Sequence, residues 1–353
     1  MRYYISGETA IFQNARFVLM ELAEAKPGQQ IVVIADNNCY ANARVLCDVA
    51  KKEGIASIII DVDHYGGQEN YSRLPVMEPL RQAIFHSDIT FMVTDQMRTD
   101  FRRFLGTTDD MDTSLLGHNK RFTFEANGME CWQLDKERII RDRERSLRVY
   151  DWLRKAKEVR VTTARGTDIT CQVGEKPDGM YPVMAILPFY AEVAIVPALG
   201  TVNGVVYADG ASEFAYGQRG FPIRPGIPGH MELYKQPLKL VFKESLLTGY
   251  DGDPVQCARL DKLLRDVDPR PDLCDELGLV MCTSIENDRY GWQVDGSHQT
   301  HCVHVALGNN RRRKEIIHST EHVDFDVHDP VIIVDGTVIY ENGEFLDGVI
   351  FAS

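Results

Sequence analysis

One stretch of the chain, Cys302–Asp329, combines residue types and spacings that suit a metal ion. His322 and Asp324 are separated by a single residue, so on a β-strand both side chains would point to the same face. His304 lies upstream within the apolar run 303–307, where a buried imidazole needs a partner and a metal ion can be that partner. The stretch therefore predicts a metal site. A chance HxD triplet and an ordinary core histidine are the alternative interpretations, and His318 and His328 have no motif around them.

Length, composition and charge narrow the class of protein. The chain has 353 residues, of which 44% are hydrophobic and 26% are charged. These values are typical of a globular protein large enough for two domains. The formal net charge is -13 without a basic stripe, which argues against nucleic acid as a partner. We expect a peptide or small-molecule substrate and a homodimer.

The N-terminus and the cysteines indicate the compartment. The first ten residues lack the basic start and apolar core of a signal peptide, and no apolar run approaches the roughly 18 residues of a membrane span. We therefore expect a cytoplasmic protein with no membrane partner. The eight cysteines form no CxxC pair, which predicts neither a zinc ribbon nor a disulfide framework. A nucleophilic Cys302 beside His301 or His304 is an open alternative.

Residues 1–134 predict an α/β scaffold domain, because apolar strands separated by helices imply a doubly wound parallel sheet. The predicted elements are a helix over 17–25, a strand over 31–35, a helix through 45–49, a strand over 56–62, a helix over 77–85, and strands over 89–94 and 121–125. The turn Asp36–Cys39 contains no glycine that would let the backbone approach a phosphate. We therefore predict a scaffold, a dimer surface or a lid, and no nucleotide cofactor.

The second half predicts a connecting helix and then a strand-rich α+β metal-binding domain. The helix covers 135–157, with its charges facing solvent. Its expected apolar side is Ile139, Ile140, Leu147, Tyr150 and Leu153. The domain covers 158–353, with a hairpin over 159–173 and strands over 192–196 and 204–207. The loop 222–229 would border a cleft, and Asp335-Gly336 predicts a tight hairpin near the C-terminus.

Five segments of this second half resemble the aminopeptidase T and aminopeptidase S group of metallopeptidases. They are VRVTTARGTDIT (159–170), AEVAIVPALGTVNGVVYADGA (191–211), DELGLV (275–280), VHVALG (303–308) and EHVDF (321–325). The resemblance implies a two-metal centre held by Glu192, Glu276, His304, His322 and Asp324. Three carboxylates and two imidazoles suit zinc, manganese, cobalt or iron. Taken singly, Glu192 could be an edge-strand charge and Glu276 a helix-end residue.

The chain departs from the peptidase pattern at Arg311. Members of the group have a tyrosine at that position, counted from the histidine of HxALG. An arginine could instead hold an oxyanion or a substrate carboxylate, or it could lie at an exposed loop tip. The resemblance therefore implies a metal-dependent hydrolase of a peptide or small amide, with Glu276 handling the proton and Arg311 contacting the substrate.

A second family resembles this chain through the same fold, namely 2,5-dihydroxypyridine 5,6-dioxygenase, a mononuclear iron enzyme. In that case His304, His322 and one carboxylate would hold Fe(II) and support ring cleavage with dioxygen. That enzyme has a histidine where this chain has Glu276, so Glu276 favours the hydrolytic branch. A binding protein that kept the fold without turnover is the third alternative.

Overall fold

The computed structural model describes eleven segments of the chain. They are residues 2–35, 39–61, 78–94, 120–125, 134–173, 180–182, 191–214, 236–266, 271–283, 302–308 and 322–352. Residue contacts divide the chain into two compact units, Met1–Lys136 with Met184–Tyr190, and Glu137–Val183 with Ala191–Ser353. Helices and several sheets are both present, as expected for a chain of mixed α and β structure.

Unit 1 is built around a parallel sheet. Its elements are α1 (Arg2–Phe17), a π-helical turn (Val18–Leu22), β1 (Gln30–Ala35), α2 (Tyr40–Lys52), β2 (Ala56–Asp61), α3 (Glu78–His86), β3 (Ile89–Thr94) and β4 (Lys120–Glu125). The strand order is β2-β1-β3-β4, and all three pairs are parallel, as predicted. Residues 31–35 of β1 are all buried, which explains why this strand is apolar throughout. The chain goes from β1 to β2 on one side of β1 and then returns to β3 on its other side. Right-handed crossovers would therefore put α2 and α3 on opposite faces of the sheet.

The first helix of unit 1 differs from the sequence prediction, and one predicted turn lies outside the described residues. The first helix begins at Arg2 rather than at Phe17, and the apolar spacing after Phe17 belongs to the π-helical turn, where Ala23 N–H donates to the Val18 carbonyl at 2.9 Å. Periodicity missed the start because few apolar residues in 2–16 recur at helical spacing. Residues 36–38 of the glycine-free turn lie outside the described part of the chain.

Unit 2 consists mostly of strands. Its elements are α4 (Lys136–Leu153), β5 (Glu158–Thr162), β6 (Asp168–Gln172), β7 (Met180–Pro182), β8 (Glu192–Ile195), β9 (Asn203–Ala208), β10 (Gly210–Phe214), β11 (Leu238–Lys243), β12 (Leu246–Asp251), α5 (Pro254–Asp266), β13 (Cys274–Val280), β14 (Cys302–Gly308), β15 (His322–His328), β16 (Val331–Val334), β17 (Thr337–Glu341), β18 (Glu344–Phe345) and α6 (Asp347–Ile350).

These strands form two sheets that share one core. One sheet has the order β10-β15-β14-β13-β8-β7, and the other has the order β12-β11-β9-β6-β5-β16-β17-β18. Buried residues from both sheets, including Leu279 and Val305 from the first and Val161 and Leu240 from the second, belong to a single hydrophobic cluster. One face of each sheet is therefore committed to this core.

The two predicted hairpins are confirmed. β5 pairs antiparallel with β6, and β16 pairs antiparallel with β17. In the second turn Asp335 and Gly336 both have positive φ, at 46° and 79°, which is the backbone of a type I′ turn. The Asp335 carboxylate also accepts hydrogen bonds from the backbone N–H groups of Lys157 and Glu158, both at 2.9 Å. This aspartate therefore fixes the start of β5 as well as the turn.

The predicted apolar side of α4 is wrong in part. Ile140 and Leu147 are 47% and 45% exposed, whereas Asp142 and Arg145 are buried. The prediction failed because it counted only apolar residues, and a buried ion pair occupies the helix face at 142 and 145. Asp142 accepts a hydrogen bond from Arg145 at 2.7 Å, and Arg145 also contacts Asp347 at 2.8 Å. The charges of this helix are therefore not all solvated.

The described residues offer no helix that is both long and apolar enough to cross a membrane. Seven cysteines lie among them, and none of these seven is in a disulfide; Cys302 is one of the five that are buried. Its Sγ donates to the neighbouring Val303 carbonyl at 3.2 Å.

Candidate metal centre

One face of the six-stranded sheet packs into the core, and its other face carries the polar residues. Residues directly opposite each other in an antiparallel ladder share a face, so the register gives the arrangement in rows. One row contains Glu276, Ala306 and Asp324; the next contains Ala194, Gly278, His304 and Asp326; beyond it Glu192 lies opposite Val280, and Cys302 lies opposite His328. The residues between them along each strand, such as Leu277, Val305 and Phe325, belong to the core.

Glu192, Glu276 and His304 converge on this polar face. His304 Nε2 lies 3.1 Å from Glu192 Oε1 and 3.8 Å from Glu276 Oε1. One donor atom from each residue lies within 4.8 Å of the others. The side chains of His304 and Glu192 are each 3% exposed, and that of Glu276 is 13% exposed. Three strands, β8, β13 and β14, thus bring together two carboxylates and one imidazole.

Gly278 makes room for the imidazole. It lies directly opposite His304, and a Cβ at this position would be 2.0 Å from His304 Nε2 and 2.4 Å from Glu192 Oε1. The imidazole therefore extends from β14 across Gly278 towards β8. Because no larger residue would leave this space, the cradle for His304 depends on the glycine.

A β-bulge orients Glu276. The register between β13 and β14 shifts between Cys274 and Glu276, so Asp275 is the extra residue. As a result Cys274 faces the core, while Glu276 faces the polar side. Simple alternation would have placed both on one face. Bulges often redirect a side chain beside a functional site in this way.

The electrostatics of the centre favour a cation. Burial lowers the pKa of His304, but the carboxylates of Asp324 and Glu192 outweigh this effect and raise the pKa well above its ordinary value. Hydrogen bonds to Glu192 and Glu276 act in the same direction. The surrounding carboxylates thus stabilise positive charge at the imidazole, and a metal ion is another way to supply that charge.

The donor set and the space fit a divalent metal ion. Carboxylate oxygen and imidazole nitrogen are ligands of zinc, manganese, cobalt and iron. The cradle over Gly278 holds the imidazole against two carboxylates within a small volume. Glu192, Glu276 and His304 could therefore hold an ion together.

The structure describes the other predicted site residues to different extents. Asp324 is 2% exposed, lies in the row of Glu276, and is close enough to affect the charge of His304. The backbone of His322 pairs with Gly308 at the start of β15, and its side chain is not described. Arg311 and His318 lie outside the described residues.

The single-residue alternatives for the two glutamates are wrong. Glu192 begins β8, a strand between β13 and β7 rather than at an edge, and it is 2% exposed. Glu276 lies within β13 rather than at a helix end.

Sequence reasoning missed two polar residues of the same face. Asp326, which is fully buried, lies directly opposite His304, and His328 ends the same strand. The signal was present in HVDFDVH, because alternation puts residues 322, 324, 326 and 328 on one face.

Comparisons with known proteins show the fold. No protein-family model matches the chain, and no curated protein sequence matches it. The structure of 2,5-dihydroxypyridine dioxygenase from Pseudomonas putida KT2440 matches with a TM-score of 0.64 and 12% identity, covering 96% of this chain and 97% of that chain. AmpT from Thermus thermophilus matches with a TM-score of 0.58 and 13% identity, covering 96% and 99%. Both families that the sequence resembles are therefore structural neighbours, and the fold is what the chain shares with them.

Proposed function

We propose that this protein is a metal-dependent hydrolase of a peptide or small amide. The ligands would be Glu192, Glu276, His304, His322 and Asp324, and the metal zinc, manganese or cobalt. The observation that carries the proposal is the convergence of Glu192, Glu276 and His304, whose donor atoms lie within 4.8 Å of one another. A centre rich in carboxylates suits divalent ions that act on carbonyl groups.

The side chains of the candidate centre differ in their exposure to solvent, and this difference suggests a separate role for each. A bound divalent ion would polarise a substrate carbonyl and lower the pKa of a water molecule. Glu192, with 3% of its side chain exposed, is suited to a fixed ligand role. Glu276 is more accessible, at 13%, so it is the carboxylate that can take a proton from water and pass it to the leaving amine. Gly278 keeps the His304 ring in position between them.

The second candidate is a ring-cleaving dioxygenase using Fe(II). His304 and Asp324 lie on neighbouring strands and share a face, and the backbone of His322 is two residues from Asp324 on β15. Two imidazoles and one carboxylate form the ligand set of many non-haem iron oxygenases. The match to 2,5-dihydroxypyridine dioxygenase, with its TM-score of 0.64, supports this candidate. The two glutamates beside His304 favour hydrolysis.

Metal analysis and a pair of assays separate these candidates. We would purify the chain without chelators, measure metals by mass spectrometry, and assay hydrolysis of leucine p-nitroanilide and oxygen uptake with 2,5-dihydroxypyridine. Zinc, manganese or cobalt with hydrolysis would support the first proposal. Iron with oxygen uptake would contradict it and support the second. A chain that binds no metal would contradict both and favour a binding protein.

The role of Glu276 has its own test. Glu276→Gln should lower kcat for hydrolysis by roughly a hundredfold or more, because the amide cannot take the proton. The exposed Glu144→Gln is the matched control and should leave kcat unchanged. Wild-type kcat in the Glu276 variant would remove this residue from the mechanism.

A further inference from the structure

A second polar cluster, separate from Glu192, Glu276 and His304, lies at the end of β15. His328 Nδ1 lies 3.5 Å from Asp209 Oδ2, and the His328 backbone N–H donates to the same oxygen at 3.3 Å. The other oxygen, Asp209 Oδ1, accepts a hydrogen bond from Arg165 Nη1. Asp209 and His328 are largely buried, with 8% and 13% of their side chains exposed, whereas Arg165 is 54% exposed. The three residues therefore form a series of contacts that leads from the solvent-exposed Arg165 through Asp209 to the buried imidazole of His328.

The fold holds Asp209 and Arg165 firmly. Asp209 lies between β9 and β10, where the backbone passes from one sheet to the other, and its N–H donates to the Asp326 carbonyl at 2.8 Å. Arg165 lies in the turn between β5 and β6. In that turn Thr167 Oγ1 accepts the Tyr207 N–H at 2.9 Å, and Gly166, at φ 107°, lies against the Tyr207 ring. The backbone at Asp209 and the turn that carries Arg165 are thus both held by contacts with neighbouring strands.

The register places His328 on the face that carries the candidate metal centre. His328 is the diagonal neighbour of His304, since His304 pairs with Asp326 two residues earlier on β15. Diagonal neighbours have Cβ atoms about 7 to 8 Å apart. The His304 ring extends the other way, across Gly278, so its Nε2 and the His328 ring are separated by roughly two strand spacings, about 10 Å. A substrate bound at His304 would need a long arm to reach His328.

Asp209 lies on the Nδ1 side of the His328 ring, with its Oδ2 3.5 Å from that nitrogen. A carboxylate beside Nδ1 stabilises the tautomer with hydrogen on Nδ1, which leaves Nε2 as a hydrogen-bond acceptor on the opposite side of the ring. Burial lowers the pKa of His328; Asp329 opposes this effect and Arg165 adds to it. The imidazole is therefore neutral near pH 7 and offers one acceptor.

We propose that His328 is a specificity residue that accepts a hydrogen bond from an amine at the end of a lysine-length substrate arm, and that Asp209 and Arg165 are its positioning residues. Charge complementarity supports an amine, because Asp326, directly opposite His304 and two residues before His328, is buried on the same strand face. An anionic arm would be repelled there, and an apolar arm would leave the acceptor unused. The choice of substrate rests on the proposed hydrolase function, whereas the tautomer of His328 does not.

A matched pair of ligands tests the specificity. Lysine hydroxamate and norleucine hydroxamate differ only in the terminal amine, and their binding to the zinc-loaded full chain can be measured by calorimetry. Wild type should prefer the lysine compound about tenfold or more. In His328→Leu that preference should fall to near unity, while affinity for the norleucine compound and the zinc content stay unchanged. An unchanged preference in His328→Leu would overturn the proposal.

A second measurement needs no metal. Nitrogen-15 NMR of the histidine rings in the metal-free chain should show His328 protonated at Nδ1 in wild type, and should show this tautomer lost in Asp209→Asn. Arg160→Gln, on the same hairpin as Arg165 and paired with Asp168, is the control and should leave the signal unchanged. A wild-type ring protonated at Nε2 would overturn the positioning role. If neither hydroxamate binds wild type, the hydrolase function and the amine preference both fail, while the NMR result still decides the positioning.

Discussion

Gly278 and His304 lie directly opposite each other on β13 and β14, and the imidazole occupies the space that any side chain at position 278 would need. Two backbones joined in one ladder cannot move apart without losing their hydrogen bonds. The packing of His304 against Glu192 is therefore tied to a residue that offers no ligand of its own.

Gly278→Ala should reduce metal affinity at least tenfold, because the new methyl group would displace the His304 ring from Glu192. The free energy of unfolding should also fall by about 1 to 3 kcal/mol through overpacking. Metal titration and urea unfolding measure the two effects. Gly249→Ala is the control, since a Cβ there meets no atom within 4 Å. Normal metal affinity in Gly278→Ala would show that the ring can move without consequence.

Asp324→Ala and His322→Ala should each lower metal content while the chain remains folded. Asp324 is buried in the row of Glu276 and affects the charge of His304, so its loss removes a carboxylate from the centre. Mass spectrometry gives the metal content and circular dichroism the folding. His86→Ala, at an exposed helix end in unit 1, is the control. Full metal content in the Asp324 variant would remove that residue from the ligand set.

Arg145→Met should be strongly destabilising. Asp142 is 1% exposed and accepts a hydrogen bond from Arg145, so the variant leaves a buried carboxylate without its ion-pair partner, at a cost of about 3 to 5 kcal/mol. Urea unfolding followed by circular dichroism measures the loss. Arg265→Met removes an exposed ion pair with Asp266 and should change stability by less than about 1 kcal/mol. Equal effects of the two variants would mean that burial of the pair is unimportant.

The contribution of Asp347 should depend on pH. Burial raises the pKa of Asp347, but hydrogen bonds from Arg145 and Arg141 outweigh it and hold the pKa below its ordinary value of 3.8. A lowered folded-state pKa contributes stability above the ordinary value, and this stability is lost as the pH falls through the folded-state value. Asp347→Asn should therefore destabilise the protein by about 1 kcal/mol at neutral pH, with the difference shrinking as the pH falls below the ordinary pKa of 3.8. Melting temperatures at several pH values check this, and a constant difference would contradict it.

Local patterns in the sequence predicted most of the elements but not all of their surroundings. The parallel strands of unit 1 were predictable because strands such as Ile31–Ala35 are apolar throughout, and the turn at Asp335 because Asp-Gly adopts positive φ readily. The buried pair Asp142 and Arg145 was not, because a helix face that buries opposite charges resembles a solvated one.

For the candidate centre, the sequence predicted which residues take part better than it predicted how they are arranged. Nothing local to DELGLV shows that Asp275 forms a bulge, which is what turns Glu276 away from the core side of Cys274. The proximity of His328 and Asp209 could not be predicted from the sequence either. It depends on the point at which the chain passes from β9 in one sheet to β10 in the other.

The strand order of the six-stranded sheet also has a consequence for folding kinetics. Glu276, His304 and Asp324 come from three strands that follow one another in the chain, whereas Glu192 comes from β8, which is distant in sequence from β13 and pairs with it. Non-local strand pairing is slow, because loop closure must precede the contacts that reward it. A fragment that lacks one of these strands cannot assemble the centre. The time at which tight metal binding appears during refolding would therefore report when the last strand pairs, and not when the chain first collapses.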